Sequence, residues 1–265
     1  MQLHSAPTRL ANADAFKRSL EDVLGWDWCG ATLVVEHCDA YIPGQNPEKG
    51  FLSLADEIDI VAELGVGIHL NWGRSAVEGR SAETAFEHVR EAGERGVLDG
   101  IVFSGGEPCM DPALPAAVRL VKDEGYAVGL HTSGAYPRHL KDCISLVDWV
   151  GLDVKGNPED PQAFDAVAGI NGAHKAFLES FEIIRRAGVK YEARTTAHPG
   201  FLGEDDLITI ARWLKERGAD TYALQIYRKA PGMENALDPV PETWPSAATI
   251  EKLRTIIPNF VLRRE

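Results

Sequence analysis

Short runs of apolar residues alternate with longer amphipathic stretches along this 265-residue chain. The apolar runs begin near Gln2, Thr32, Gly67, Gly100, Ala127, Trp149, Tyr191 and Tyr222, at successive intervals of 30, 35, 33, 27, 22, 42 and 31 residues. Each interval holds one strand and one helix. Thr-Leu-Val-Val at 32–35, Gly-Ile-Val-Phe at 100–103 and Trp-Val-Gly-Leu at 149–152 are continuously apolar rather than alternating. Such runs predict strands covered on both faces, as in a parallel sheet.

The stretches between them carry helix start and stop signals. Asn12 or Asp14 can cap a helix that puts Phe16, Leu20, Val23 and Leu24 on one face. Ser53 precedes a helix with Ile58, Val61 and Leu64, and Ser81 precedes one with Phe86 and Val89 that stops at Gly96. Asp111-Pro112 reads as a cap followed by proline at the first helical position, with Gly125 closing that helix. Two further helices carry Phe177, Phe181 and Ile184 up to Gly188, and Leu207, Ile210, Ala211 and Leu214 up to Gly218. A last helix spans 247–257, followed by a strand-like tail at 260–264.

Eight strands alternating with helices, without a break in composition, predict an α/β fold: a single (βα)8 TIM barrel of eight parallel strands over residues 1–265. A doubly wound open sheet is the alternative. Barrel closure would place His4 and Gln225 on neighbouring strands. The first strand has almost no lead-in, with Pro7 soon after it, so the chain reads as a barrel cut at its start.

A composition of 45% hydrophobic and 25% charged residues is that of a soluble globular protein. The formal net charge of −13, with no basic run, argues against a nucleic-acid partner. The charge is uneven: residues 1–104 carry 8 basic and 17 acidic groups. No apolar stretch approaches a membrane span, and no secretory signal is expected from the opening residues. Four cysteines in this length do not make a disulfide scaffold, so a reducing, cytoplasmic setting is expected. The assembly expected is a monomer or small homo-oligomer.

Barrel chemistry gathers at the C-terminal strand ends. Those positions hold His4, Glu36, His37, Asp39, Asn71, Gly105, Gly106, Glu107, His131, Ser133, Asp153, Lys155, Arg194, His198, Gln225, Tyr227 and Arg228. So polar a rim suits a small molecule or anion. Glu36 and Asp39 are candidate ligands for a divalent metal. Alternate strand residues face opposite sides, so Glu36 and His37 cannot both point inward, and His37 reads as a packed or hydrogen-bonded histidine. His69 reads as a satisfied core histidine. Cys29, Cys38, Cys109 and Cys143 have neither zinc nor cluster spacing, so no iron–sulfur cofactor is expected. Gly105-Gly106 lets backbone approach a ligand closely. Asp153 and Lys155 offer an acid and a base on one strand face, suited to a zwitterion or to an internal ion pair.

Gly-Ile-Val-Phe-Ser-Gly-Gly-Glu-Pro (100–108), Gly-Leu-His-Thr-Ser-Gly (129–134), Trp-Val-Gly-Leu-Asp-Val-Lys (149–155) and Arg-Thr-Thr-Ala-His-Pro-Gly (194–200) carry a resemblance. From about Leu98 to its end the chain resembles radical S-adenosylmethionine enzymes of the anaerobic ribonucleotide reductase activating type. The resemblance implies that Gly105, Gly106 and Glu107 face the methionine amino group of S-adenosylmethionine. It places Asp153 and Lys155 near the carboxylate and ribose, and Ser133 beside them. The Cys-x3-Cys-x2-Cys triplet that holds that family's cluster is absent. Radical chemistry is therefore not expected.

Leu-His-Ser-Ala-Pro (3–7), Val-Val-Glu-His-Cys-Asp-Ala (34–40), Pro-Gly-Gln-Asn-Pro-Glu-Lys-Gly-Phe-Leu (43–52) and Asn-Trp-Gly-Arg-Ser-Ala (71–76) resemble the central part of an uncharacterised family of xylose-isomerase-like barrels. That likeness implies a divalent metal on acidic strand ends, although Gln2 stands where the family has an acid. The two resemblances meet near 100–105, so the chain reads as a chimera: a recombined, engineered scaffold without competent radical chemistry, binding S-adenosylmethionine weakly. Two enzyme readings stand beside it. One is a metal-dependent sugar isomerase or epimerase, the other a radical S-adenosylmethionine homologue that has lost its cluster.

Overall fold

A computed structural model describes residues 1–5, 12–45, 47, 49–228 and 237–264. Ala6, Pro7, Asn46 and Glu48 of the segments quoted above lie outside the described residues. The chain forms two compact units. The first comprises Met1–Gly106 and Leu120–Gly129, the second Glu107–Arg119 and Leu130–Glu265. The fold is α/β, and among the described residues nine strands are ordered as they occur in the chain.

The first unit holds β1 (Gln2–Leu3), α1 (Ala13–Leu24), β2 (Val34–His37), α2 (Leu54–Leu64), β3 (Gly67–Asn71), α3 (Trp72–Gly79), α4 (Ala82–Glu94) and β4 (Leu98–Phe103). Its strands pair in parallel, Val35 opposite Ile68 and Leu70 opposite Ile101. The expected caps form: Asn12, rather than Asp14, accepts the Ala15 amide, Ser53 accepts that of Asp56, and Ser81 that of Glu83. Leu20, Val35, Ile58, Val61, Ile68 and Leu70 are fully buried between helices and strands. Burial of such side chains contributes roughly 1.5–3 kcal/mol each.

Two elements are shared between the units, α5 (Leu114–Asp123) and β5 (Ala127–Thr132). The second unit adds α6 (Pro137–Cys143), β6 (Trp149–Asp153), α7 (Pro161–Ala168), α8 (Ala173–Ala187), β7 (Lys190–Ala197), α9 (Glu204–Glu216), β8 (Thr221–Ile226), α10 (Ala247–Ile256) and β9 (Asn259–Arg263). Strands β6 to β9 pair in parallel. Its core is aromatic: Phe177 packs on Phe164 at 5.0 Å and Phe181 on Trp213 at 4.7 Å between ring centroids.

Three expectations change. Strand β8 is flanked by β9, so Gln225 lies opposite Arg263 and not beside His4. The 260–264 tail is a full strand because Phe260 packs against buried Tyr222 and Arg263 forks onto Glu192 at 2.8 and 2.9 Å. The β8 edge, assigned to β1 by the eight-strand reading, is taken by a ninth strand, β9. Helix α5 begins at Leu114, because Asp111 caps a separate turn and its side chain accepts the Ala113 amide at 2.8 Å. Helices α3, α6 and α7 were not anticipated, being only seven or eight residues long. Among the described residues no helix is long and apolar enough to cross a membrane.

Candidate functional site

In the second unit the polar strand ends form two tied groups. Glu107 follows the glycine pair, and its carboxylate is saturated by the chain itself. Oε1 accepts from Thr132 Oγ1 at 2.7 Å and the Cys109 amide at 3.1 Å, while Oε2 accepts from the Ser133 amide at 2.7 Å and Ser133 Oγ at 2.5 Å. Glu107 therefore clamps the end of β5 to its own loop, and Ser133 is one of the clamped groups. Neither side chain has a lone role facing solvent.

Asp153 and Arg194 are directly opposite in the β6–β7 register. Arg194 donates to Asp153 Oδ1 from Nε at 3.1 Å and Nη2 at 2.8 Å, and Lys155 Nζ donates to Oδ2 at 2.9 Å. Gly151 makes room for the guanidinium, since a Cβ there would lie 2.8 Å from Arg194 Cζ. Burial alone would push the Asp153 carboxyl up, but the Arg194 and Lys155 charges outweigh it and hold it below the usual carboxylate range. Lys155 is the open member, with 42% of its side chain exposed against 12% for Arg194. An incoming carboxylate can reach Lys155, and a hydroxyl or ammonium can reach Asp153.

Gly105 and Gly106 belong to the first unit, and both adopt positive φ, +85° and +55°. A Cβ on Gly105 would lie 3.2 Å from Gly73 Cα, at the start of α3. The turn therefore needs glycine for its own backbone and for its approach to α3.

The candidate metal ligands of the first unit have separate partners. Buried Glu36 accepts from Asn71 Nδ2 at 2.8 Å and lies 3.6 Å from His4 Nε2. Buried Asp39 accepts the Lys49 amide at 2.8 Å and lies 3.7 Å from Arg74. His37 turns away from Glu36, as strand alternation requires, into a group drawn from three helices. Its Nδ1 is 2.7 Å from Glu57 Oε2 on α2 and its Nε2 is 3.2 Å from Glu78 Oε2 on α3. His88 of α4 places Nε2 3.6 Å from Glu78 Oε1 and Nδ1 3.0 Å from Ser75 Oγ. Burial would lower the His37 pKa, but Glu57 and Glu78 raise it to about 9; burial and the neighbouring His37 charge push His88 down to about 4. Glu57, Glu78 and His88 carried no signal in the sequence reading. They come from separate helices, and their spacing matches no ligand motif. His69 is a satisfied histidine, with Gln2 Nε2 at 3.2 Å from its Nδ1.

An iron–sulfur cluster does not fit these residues. Each unit holds two cysteines, Cys29 and Cys38 in the first, Cys109 and Cys143 in the second. Three thiolates are needed at one place. Burial raises the thiols of Cys38 and Cys109 far above their ordinary value and that of Cys143 to about 11.

Known proteins resemble parts of this chain. Residues 1–112 match the family described as "Domain of unknown function (DUF4862)". The chain is 41% identical over 110 residues to "Uncharacterized protein STM3670" of Salmonella typhimurium, covering 40% of this chain and 35% of that protein. It is 27% identical over 167 residues to "Putative glycyl-radical enzyme activating enzyme MJ1227" of Methanocaldococcus jannaschii, covering 62% of this chain and 68% of that protein. The chain thus spans about a third of the first relative and about two thirds of the second. Among solved structures, "Structure of TYW1 with a lysine-pyruvate adduct bound" aligns over 74% of this chain and 63% of that one, at 17% identity and a TM-score of 0.41.

Proposed function

We propose that this chain is a recombined α/β scaffold whose second unit retains a weak site for an S-adenosylmethionine-type zwitterion and performs no radical chemistry. The observation that carries the reading is Asp153, fixed by Arg194 on one side and offered with the exposed Lys155 on the other. The resemblance of residues 149–155 and 194–200 to radical S-adenosylmethionine enzymes supports it, as does the activating-enzyme name of a relative. Recombination is supported by the family match over residues 1–112, which ends shortly after Gly106 closes the main segment of the first unit.

In this reading Lys155 binds the ligand carboxylate, and Asp153 orients a hydroxyl or the ammonium. Arg194 positions Asp153 and keeps it ionised. Glu107 holds the β5 end in place. The cluster's iron, which in radical enzymes ligates the methionine end, has no thiolates to sit on here. Affinity is therefore low, with a Kd of about 0.1–1 mM, or roughly 4–5.5 kcal/mol.

Titration calorimetry with S-adenosylmethionine tests the reading on the whole chain and on Lys155→Ala. The expected result is submillimolar binding that Lys155→Ala abolishes. Micromolar affinity, or weak binding indifferent to Lys155, overturns the assignment of the pocket.

A further inference from the structure

We propose that His37, Glu78 and His88 form a binding site for a single zinc-class divalent cation in the first unit, apart from the strand-end site of the second. The three side chains arrive from the end of β2, the last turn of α3 and the middle of α4. Among the described residues they are a group of His, Cys, Asp or Glu whose ligand atoms all lie within 4.8 Å of one another. Glu36 and Asp39 are not members of it.

The distances suit coordination. With metal–ligand bonds of about 2.0–2.1 Å, two ligands of a tetrahedral zinc ion sit about 3.3 Å apart. Glu78 is 3.2 Å from His37 Nε2 and 3.6 Å from His88 Nε2, one carboxylate oxygen to each. The imidazoles present the same ring nitrogen, and their centroids are 5.2 Å apart with the rings nearly perpendicular. The rings therefore meet edge to face, and both turn Nε2 toward the Glu78 carboxylate.

The surroundings are those of a supported metal site. Each ligating imidazole has its other nitrogen tied: His37 Nδ1 to the fully buried Glu57, His88 Nδ1 to Ser75 Oγ. A carboxylate behind a ligating histidine fixes its tautomer and raises its basicity. Glu57 is itself held by Ser5 Oγ at 2.6 Å, and Glu78 Oε2 accepts the Ala40 amide at 2.8 Å. Two imidazole nitrogens and one carboxylate favour zinc over calcium or magnesium, which take mostly oxygen. The charge also balances, because a doubly charged cation matches Glu57 and Glu78 with both imidazoles neutral. Glu78 and His88 remain 12% and 11% exposed at their side chains, so an ion has a way in and a water can complete the fourth position.

The test uses the full chain stripped with a chelator. After exposure to zinc and gel filtration, elemental analysis should return one zinc per chain, and zinc should raise the Tm. Cobalt substitution should give the intense visible band of tetrahedral coordination. His88→Gln and, separately, Glu78→Gln should each lower zinc affinity at least tenfold in a chelator competition and abolish the zinc-induced Tm shift. Circular dichroism of each metal-free variant verifies its fold, and whichever variant folds carries the comparison. Ser75→Ala, which leaves all three ligands, should weaken zinc by about tenfold. Less than stoichiometric zinc, a cobalt spectrum without the tetrahedral band, or equal zinc binding by wild type and both ligand variants overturns the proposal. None of these outcomes depends on S-adenosylmethionine binding.

Discussion

At the scale of single residues, the second unit separates side chains that fasten the fold from those open to a ligand. Glu107 uses both carboxylate oxygens on its own loop and the β5 end, so its acidity goes into local architecture. Asp153 is different, because its stability contribution depends on its charge. An ordinary unfolded aspartate titrates near about 3.9, and in the folded chain the value is lower because Arg194 and Lys155 outweigh burial. The folded state therefore binds fewer protons than the unfolded one in that range. The stabilisation is fully present above the unfolded value and is lost as pH falls through the folded one. Urea unfolding followed from neutral pH down into the acid range should show Asp153→Asn with a shallower acid limb than wild type. At neutral pH the variant should lose about 1–3 kcal/mol, because Arg194 keeps its burial and loses its charged partner. Identical acid limbs would remove Asp153 from this role.

At the scale of elements, glycine decides how α3 meets the turn after β4. A Cβ on Gly73 would run into the backbone carbonyl of Ser104, closer than real Cβ atoms approach, and a Cβ on Gly105 would meet Gly73 in return. Backbone faces backbone there, so no flexible side chain can yield. Gly73→Ala should destabilise by about 1–3 kcal/mol, in the range of overpacked sites, although alanine is the better helix former. Thermal unfolding checks this, and an unchanged or raised Tm would contradict the contact. The same packing accounts for part of the Gly105-Gly106 pattern without a ligand. The helices missed from the pattern, α3, α6 and α7, are too short for apolar periodicity to stand out. Asp160-Pro161 at the start of α7 was a legible signal, since Asp160 accepts the amides of Gln162 and Ala163.

At the scale of the whole molecule, β9 governs the exposed edge of β8. Without it the main-chain groups of Thr221–Ile226 would face solvent on one side, a template for pairing with other chains. Truncation after Pro258 removes the ladder to β8, the Phe260–Tyr222 contact and the Arg263–Glu192 fork. The truncated chain should unfold at lower temperature and scatter light at concentrations where the full chain does not. A truncated chain as stable and monodisperse as the full one would show that β9 is dispensable.

Most of the fold was legible because strands and helices are written locally. Continuous apolar runs marked β2, β4 and β6, and Asn12, Ser53 and Ser81 capped the helices they were expected to cap. The polar strand ends were likewise readable as a set, and the absence of a cysteine triplet is a fact of sequence alone. What pairs with what was decided only in three dimensions. The one-dimensional pattern assigned the edge of β8 to β1, and the packing of Phe260 and Arg263 assigns it to β9 instead. Glu36 and Asp39, adjacent to His37, looked like the natural ligands. The pleat turned His37 toward α2, α3 and α4, where Glu57, Glu78 and His88 meet it from 20, 41 and 51 positions away. Local patterns report a residue's own backbone and face. Convergence of side chains from separate helices follows from packing, which no spacing along the chain encodes.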